Sequence, residues 1–225
     1  MESLFTESLL RLFRFGPHLV WSVFVGTLEW IIPRSWYAKS VDKDIVLITG
    51  AGSGLGRAIA LEYAKLKSTL ILWDVNEIGL QDTKMMVDSE YAKLRSASMG
   101  KDDVNATCST YVVDVSDRTK VQESAAQVYL DLNKDKLIDE PKRFVSVLVN
   151  NAGIYHGLML QELKDEQIER IFKINILAHF WTVRAFLPKM IEHRKGHIVE
   201  IASMGGISGL LKQVDYCATK FATGE

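Results

Sequence analysis

Apolar positions along the chain follow two alternating rhythms. Short runs rich in apolar residues occur at residues 44–49 (DIVLIT), 69–73 (TLILW), 109–113 (STYVV), 144–149 (FVSVLV) and 197–201 (HIVEI). Runs this short, most of them ending at Gly, Asp or Asn, predict strands buried on both faces. Between them the apolar spacing becomes helical, over residues 55–66, 77–95, 117–132 and 165–193, and a last helix is predicted to begin near Val214. Asp117 is a plausible N-cap. Pro188 predicts a kink or break. Residues 96–107 and 133–143 read as polar, charged connections. Strands alternating with helices, without an internal repeat, imply an α/β fold: a doubly wound parallel sheet with helices on both faces, in one domain over residues 41–225.

The first forty residues break this rhythm. Residues 4–36 are rich in Leu, Phe, Val, Ile and Trp, and the most apolar stretch is 18–32, HLVWSVFVGTLEWII. A clean span needs about 20 apolar residues. This one is shorter and carries Glu29, a costly charge at a bilayer centre. Arg11 and Arg14 precede it, Arg34 and Lys39 follow, and Trp21, Trp30 and Trp36 suit a headgroup interface. Residues 1–40 are therefore expected to form a separate N-terminal membrane-associated segment, tilted or lying in the interface. The competing readings are a soluble helix packed on the domain and a cleaved signal peptide, although no small-residue cleavage site follows the run.

Composition narrows the function classes. The 225 residues are 48% hydrophobic and 24% charged, with a formal net charge of −1. No basic field recruits nucleic acid. The two cysteines, Cys108 and Cys217, lack zinc-site spacing and do not make a disulfide framework, and the five histidines show no ligand spacing, so no metal site is expected.

Two local patterns carry chemistry. Thr49-Gly-Ala-Gly-Ser-Gly-Leu-Gly56 follows the first predicted strand and opens the first predicted helix. Gly50, Gly54 and Gly56 let the backbone approach a pyrophosphate, and Ser53, Leu55 and Gly56 sit where a helix N-terminus offers free N–H groups. Asp74 closes the next strand, 18 residues after Gly56. A carboxylate there accepts hydrogen bonds from an adenine ribose and repels a 2′-phosphate, which argues for NAD over NADP. The second pattern is Tyr216 and Lys220, four apart and on one face of the last predicted helix. A free phenol has a pKa of about 10. An ammonium a few ångströms away contributes on the order of 4 kcal/mol at an effective dielectric of 20, enough to bring the phenol into range for proton transfer with an alcohol.

With these residues in place, the chain resembles the short-chain dehydrogenases/reductases. TGAGSGLG (49–56), Asp114-Val115, NNAG (150–153), Asn175, Ser203 and Tyr216-x-x-x-Lys220 stand in that family's order and spacing over about residues 40–222. LITGAGSGLGR, LWDVN, AHFWTVRAFLPKM, GHIV and DYCATKFA are similar to its microsomal retinol and lipid-droplet 17β-hydroxysteroid dehydrogenase group. The resemblance implies a Rossmann-like domain and an oxidoreductase transferring a hydride between NAD and a lipophilic alcohol or its carbonyl product. It implies Tyr216 as proton acceptor, and Lys220 as the group that lowers the Tyr216 pKa and holds the nicotinamide ribose. Ser203 would hydrogen-bond the substrate oxygen, and Asn175 would support a water relay. Asp114 and Val115 would lie at the adenine, with Asn151 beside its ribose. It further implies attachment to the endoplasmic reticulum membrane or a lipid droplet, a domain facing the cytosol, and a homodimer.

Relatives in that family continue well past the Tyr/Lys helix, whereas this chain ends at Glu225. The sheet is therefore expected to be incomplete at its C-terminal side. The alternative function is a shortened, catalytically impaired form that binds cofactor or partner only.

Overall fold

A computed structural model describes residues 21, 24–27, 39–97, 105–136 and 141–224. The chain divides into two units, Met1–Ser40 and Val41–Glu225. In the first, residues 24–27 are helical, and the rings of Trp21 and Phe24 lie 6.0 Å apart, both side chains exposed. Most of the apolar segment at 4–36 lies outside the described residues. Among the described residues no helix is long and apolar enough to cross a membrane.

The second unit is built on five parallel strands. They are β1 (Ile45–Thr49), β2 (Thr69–Asp74), β3 (Cys108–Val112), β4 (Val147–Asn150) and β5 (His197–Glu200), in spatial order β3-β2-β1-β4-β5. The connecting helices are α1 (Gly54–Lys65), α2 (Glu77–Ala97), α3 (Arg118–Asn133), α4 (Asp165–Phe172) and α5 (Ala178–Glu192), and α6 (Val214–Thr223) follows β5.

The apolar runs of β1, β2 and β4 are explained by burial on both sides of the sheet, whereas β3 and β5 at its edges are only partly buried. Alternate residues of one strand enter different cores. Val46, Ile48, Leu70, Leu72, Val147 and Val149 pack with Ala60, Ala64, Leu80 and Tyr91 of α1 and α2. Leu47, Ile71, Trp73 and Leu148 pack with Val121, Val128, Phe186 and Met190 of α3 and α5. The rings of Trp73 and Tyr129 both meet Phe186, each at 5.7 Å.

Three local expectations are corrected. The run at 144–149 becomes a strand only at Val147, because the Ser146 side chain takes over part of the ladder. Its Oγ accepts from the Ile45 N–H at 3.1 Å and donates to Asp44 Oδ1 at 3.0 Å. The helix expected over 165–193 is interrupted by a π-helical turn, Lys173–Leu177. Pro188 does not break the helix but lies inside α5. Pro188 and Arg184 are both exposed, so water can satisfy the Arg184 carbonyl that loses its helical partner.

The strand order reverses at β1. The chain runs outward through β2 and β3, then returns to the other side of β1 for β4 and β5. Such a switch point opens a crevice at the carboxyl ends of the strands. Gly50, Asp74, Asp114, Asn151 and Ser203 all follow or end strands on that edge.

Candidate active site

The glycine loop turns from β1 into α1 with Gly50 at φ +67° and Gly54 at φ +51°, backbone conformations that L side chains rarely adopt. A Cβ at Gly54 would meet nothing within 4 Å. Ser53 is the N-cap of α1, exposed, and its side chain makes no capping bond. The first helical bond runs from Arg57 N–H to the Ser53 carbonyl at 3.2 Å. The N–H groups of Gly54, Leu55 and Gly56 thus have no acceptor within the helix. Leu55 is exposed beside them. This is a cradle of free donors at a helix N-terminus, and it fits a pyrophosphate.

The loop is held from three sides. Asn151 Nδ2 donates to the carbonyls of Thr49 (2.9 Å) and Gly50 (3.1 Å). Thr49 Oγ1 accepts from the N–H groups of Asn151 and Ala152, both at 3.0 Å. Arg57 reaches back with Nη2 to the Gly52 carbonyl at 2.5 Å and with Nε to Thr83 Oγ1 at 2.9 Å. Asn151 therefore braces the turn itself. Arg57 and Thr83 are positioning residues that the sequence pattern did not reveal; the only signal was an Arg one residue past the last loop glycine.

Asp74 ends β2 beside this cradle. Its Oδ2 accepts from the Gly52 N–H at 2.8 Å and its Oδ1 from the Asn76 N–H at 2.9 Å. Val113, after β3, donates its N–H to the Asp74 carbonyl at 2.9 Å. That bond sets Asp114, exposed, and Val115, buried, on the same edge. Asp114 Oδ1 accepts from the Ser116 N–H at 2.9 Å.

The second cluster lies past β4 and β5. Lys220 is 4% exposed, and its ammonium donates to the Ile201 carbonyl at 2.6 Å. Burial pushes its pKa down, and the charge of Glu200 partly opposes this. Its Nζ lies 5.9 Å from the centroid of the Tyr216 ring. Ser203 Oγ accepts from the Gly205 N–H at 3.1 Å in the short turn Met204–Gly206. A Cβ at Gly205 would sit 3.2 Å from Tyr216 Cε1, so this glycine lets the Ser203 turn pack against the phenol ring. The structure thus brings Ser203, Tyr216 and Lys220 together.

Asn175 lies in the π turn and is fully buried. Its Oδ1 accepts from the Ile154 N–H at 2.9 Å. Its Nδ2 donates to the Ile154 carbonyl and to Thr219 Oγ1, both at 3.0 Å. Thr219 Oγ1 in turn donates to the Tyr216 carbonyl at 2.7 Å. The Asn175 side chain therefore ties the loop after β4 to the helix carrying Tyr216. Thr219 completes that tie, and sequence reasoning missed it because a threonine three residues after a tyrosine carries no signal of its own.

A sequence profile of the family described as short chain dehydrogenase matches residues 44–225. The chain is 39% identical over 210 residues to retinol dehydrogenase 10-B of Danio rerio, covering 90% of this chain and 59% of that protein. It is 40% identical over 206 residues to estradiol 17-beta-dehydrogenase 11 of Homo sapiens, covering 92% and 60%. The chain thus spans about three fifths of the length of the curated relatives it matches. Among solved structures, levodione reductase superposes with a TM-score of 0.67 at 30% identity, over 82% of this chain and 63% of that one. NAD+-bound xylitol dehydrogenase does so with a TM-score of 0.67 at 26% identity, over 82% and 62%. A metagenomic short-chain oxidoreductase in complex with NADP, 24% identical, shares the fold with a TM-score of 0.67 over 83% of this chain and 74% of that one. On the profile match and these relatives, the chain belongs to the short-chain dehydrogenase family of oxidoreductases.

Proposed function

We propose that the protein is a membrane-associated oxidoreductase that moves a hydride between NAD and a lipophilic alcohol or its carbonyl product, of the retinol or steroid type. The observation that carries this reading is the convergence of Tyr216, the buried Lys220 ammonium and the Ser203 turn on the sheet edge that also holds the glycine cradle. Tyr216 accepts the alcohol proton as the carbonyl forms and returns it in the reverse direction. The Lys220 ammonium favours the ionised phenol by Coulomb attraction. Ser203 Oγ holds the substrate oxygen during the transfer. A bound nicotinamide supplies the hydride acceptor for oxidation and the donor for reduction.

Asp74 supports NAD: its carboxylate stands at the mouth of the cradle, while the Arg57 guanidinium is committed to the Gly52 carbonyl and Thr83. The surface beside Tyr216 supports a lipophilic substrate. Met204, Ile207 and Leu211, in the segment between Ser203 and Tyr216, are 67%, 73% and 79% exposed, Val214 is exposed at the start of α6, and the exposed Tyr155 lies against the Tyr216 ring. Apolar side chains gathered at a site mouth favour an apolar ligand. Residues 1–40 are proposed as the membrane-associated segment, which would place the domain on the cytosolic face of the endoplasmic reticulum or on a lipid droplet. The names of the relatives, retinol and estradiol dehydrogenases, accord with this substrate class.

The test is NAD reduction by membranes carrying the protein when all-trans-retinol or estradiol is added. NADH formation is expected with the native protein, more slowly with NADP, and Tyr216→Phe should abolish it. A native rate indistinguishable from that of Tyr216→Phe would overturn the reading.

A further inference from the structure

Three consecutive residues after β4 attach to the catalytic end of the molecule. Ile154 is held at both backbone atoms by Asn175. The Tyr155 ring meets the Tyr216 ring edge-on, with centroids 6.2 Å apart and planes inclined at 68°. The Nδ1 of His156 lies 2.8 Å from Oδ2 of Asp215, the residue before Tyr216 in the first turn of α6. The Asp215 side chain is 2% exposed, and its other oxygen, Oδ1, is buried without a hydrogen-bond partner among the described residues. A buried carboxylate left half satisfied depends strongly on its remaining partner. Gly205 also stands against the Tyr216 ring, where a Cβ would fall 3.2 Å from Tyr216 Cε1.

We infer that His156 and Asp215 form a positioning pair that clamps the 154–156 segment onto the start of α6 and so fixes the ring of Tyr216 against Tyr155 and Gly205. One hydrogen is shared between His156 Nδ1 and Asp215 Oδ2 in this contact, and an imidazole Nδ1–H can supply it. This bond orients the imidazole as a carboxylate orients a histidine in other sites. It also joins two segments 59 residues apart at the position next to the proton-transferring phenol. Without it, Tyr155 can leave the edge of Tyr216, and the phenol gains freedom about its side-chain torsions. A displacement of about 1 Å at a reacting group is enough to cost a large factor in rate. The pair touches no reacting atom and acts through Tyr216.

The kinetic part of the test rests on the dehydrogenase reading above; the spectroscopic part does not. Protein labelled with carbon-enriched tyrosine is compared by NMR, with the Tyr216 signal assigned through Tyr216→Phe. His156→Ala is expected to shift or broaden that signal. His156→Asn, whose amide hydrogen can replace Nδ1–H, should restore it. His156→Ala strands a buried carboxylate and can fail through loss of stability alone. The double variant His156→Ala/Asp215→Ala removes both partners, and should recover the melting temperature but not the Tyr216 signal. In the dehydrogenase assay, the double variant should lose about tenfold in kcat while its KM for NAD stays within about twofold, and His156→Asn should recover most of the lost rate. A Tyr216 signal unchanged in both Ala-containing variants would overturn the clamp. If the native protein oxidises no alcohol, the dehydrogenase reading fails, and the NMR comparison still decides the clamp.

Discussion

At Gly56 the backbone of α1 passes so close to the turn that any side chain would collide with it. A Cβ there would fall 2.1 Å from the Gly50 carbonyl oxygen and 2.6 Å from Asn151 Nδ2. Neither neighbour can yield cheaply. The Gly50 carbonyl is backbone, and Asn151 already bonds both Thr49 and Gly50. Gly56→Ala should therefore open the cradle. Overpacking of this kind costs about 1–3 kcal/mol, and it would move the free N–H groups away from their common focus. The expected outcome is a lower melting temperature together with NAD affinity reduced about tenfold or more, read by a thermal melt and a fluorescence titration. Retained affinity would mean that the glycine serves only a tight connection and not a phosphate. Asp74 is proposed to act by charge rather than shape. Its two oxygens are taken by backbone N–H groups of the loop and of Asn76, so the NAD preference proposed for it is coupled to the shape of the cradle.

Elements were legible in the sequence wherever one periodicity held over a whole segment. The central strands β1, β2 and β4 were readable because both their faces are buried and their runs are mostly apolar, and Asp117 was readable as a cap by residue type and position. The structure shows Asp117 Oδ1 accepting from the N–H groups of Thr119 (2.8 Å) and Lys120 (3.2 Å) at the start of α3. Asp117→Ala should cost about 1 kcal/mol, seen as a lower urea midpoint with an unchanged m-value; no change in midpoint would mean that water caps α3 equally well. What escaped the sequence were features without a period. The π turn at Lys173–Leu177 is invisible to a hydrophobic pattern, since Ile174 within it and Ala178 just after it both still reach the core. It places Asn175, whose amide bonds both backbone atoms of Ile154. The residues proposed as catalytic could be picked out by letter and order. The ties that place them could not, because Thr219, His156, Asp215 and Gly205 are each ordinary residues until the fold brings them to Tyr216.

At the scale of the whole molecule, the two cores store protonation states that bear on stability at high pH. On one side of the sheet, burial pushes the Cys108 thiol up to about 12 from 9.0 and raises Tyr91, whose hydroxyl donates to the Ser68 carbonyl. On the other side, burial first and then the charge of Glu192 push Tyr129 up to about 12 from 10.0. These acids stay neutral in the folded protein at pH values where the unfolded chain already releases their protons. Their contribution is complete below their unfolded pKa values, and it is lost as pH rises from 9.0 for Cys108 and 10.0 for the tyrosines toward the folded values. Lys220 runs the other way. Its folded pKa lies below 10.5, so the folded state releases that proton first and gains stability until pH reaches 10.5. One lysine whose window closes there does not offset three acids whose windows extend beyond it, so stability should fall steeply above about pH 10. Each proton difference contributes a slope of about 1.4 kcal/mol per pH unit. Cys108→Ala should therefore lower stability modestly at pH 7, where only buried volume is lost. Between pH 9 and 12 it should flatten the decline by up to about 1.4 kcal/mol per pH unit, and urea midpoints of both proteins across that range would show it. Parallel declines would mean that the thiol ionises as readily in the folded chain as in the unfolded one, and that the sheet face holding Cys108 admits water.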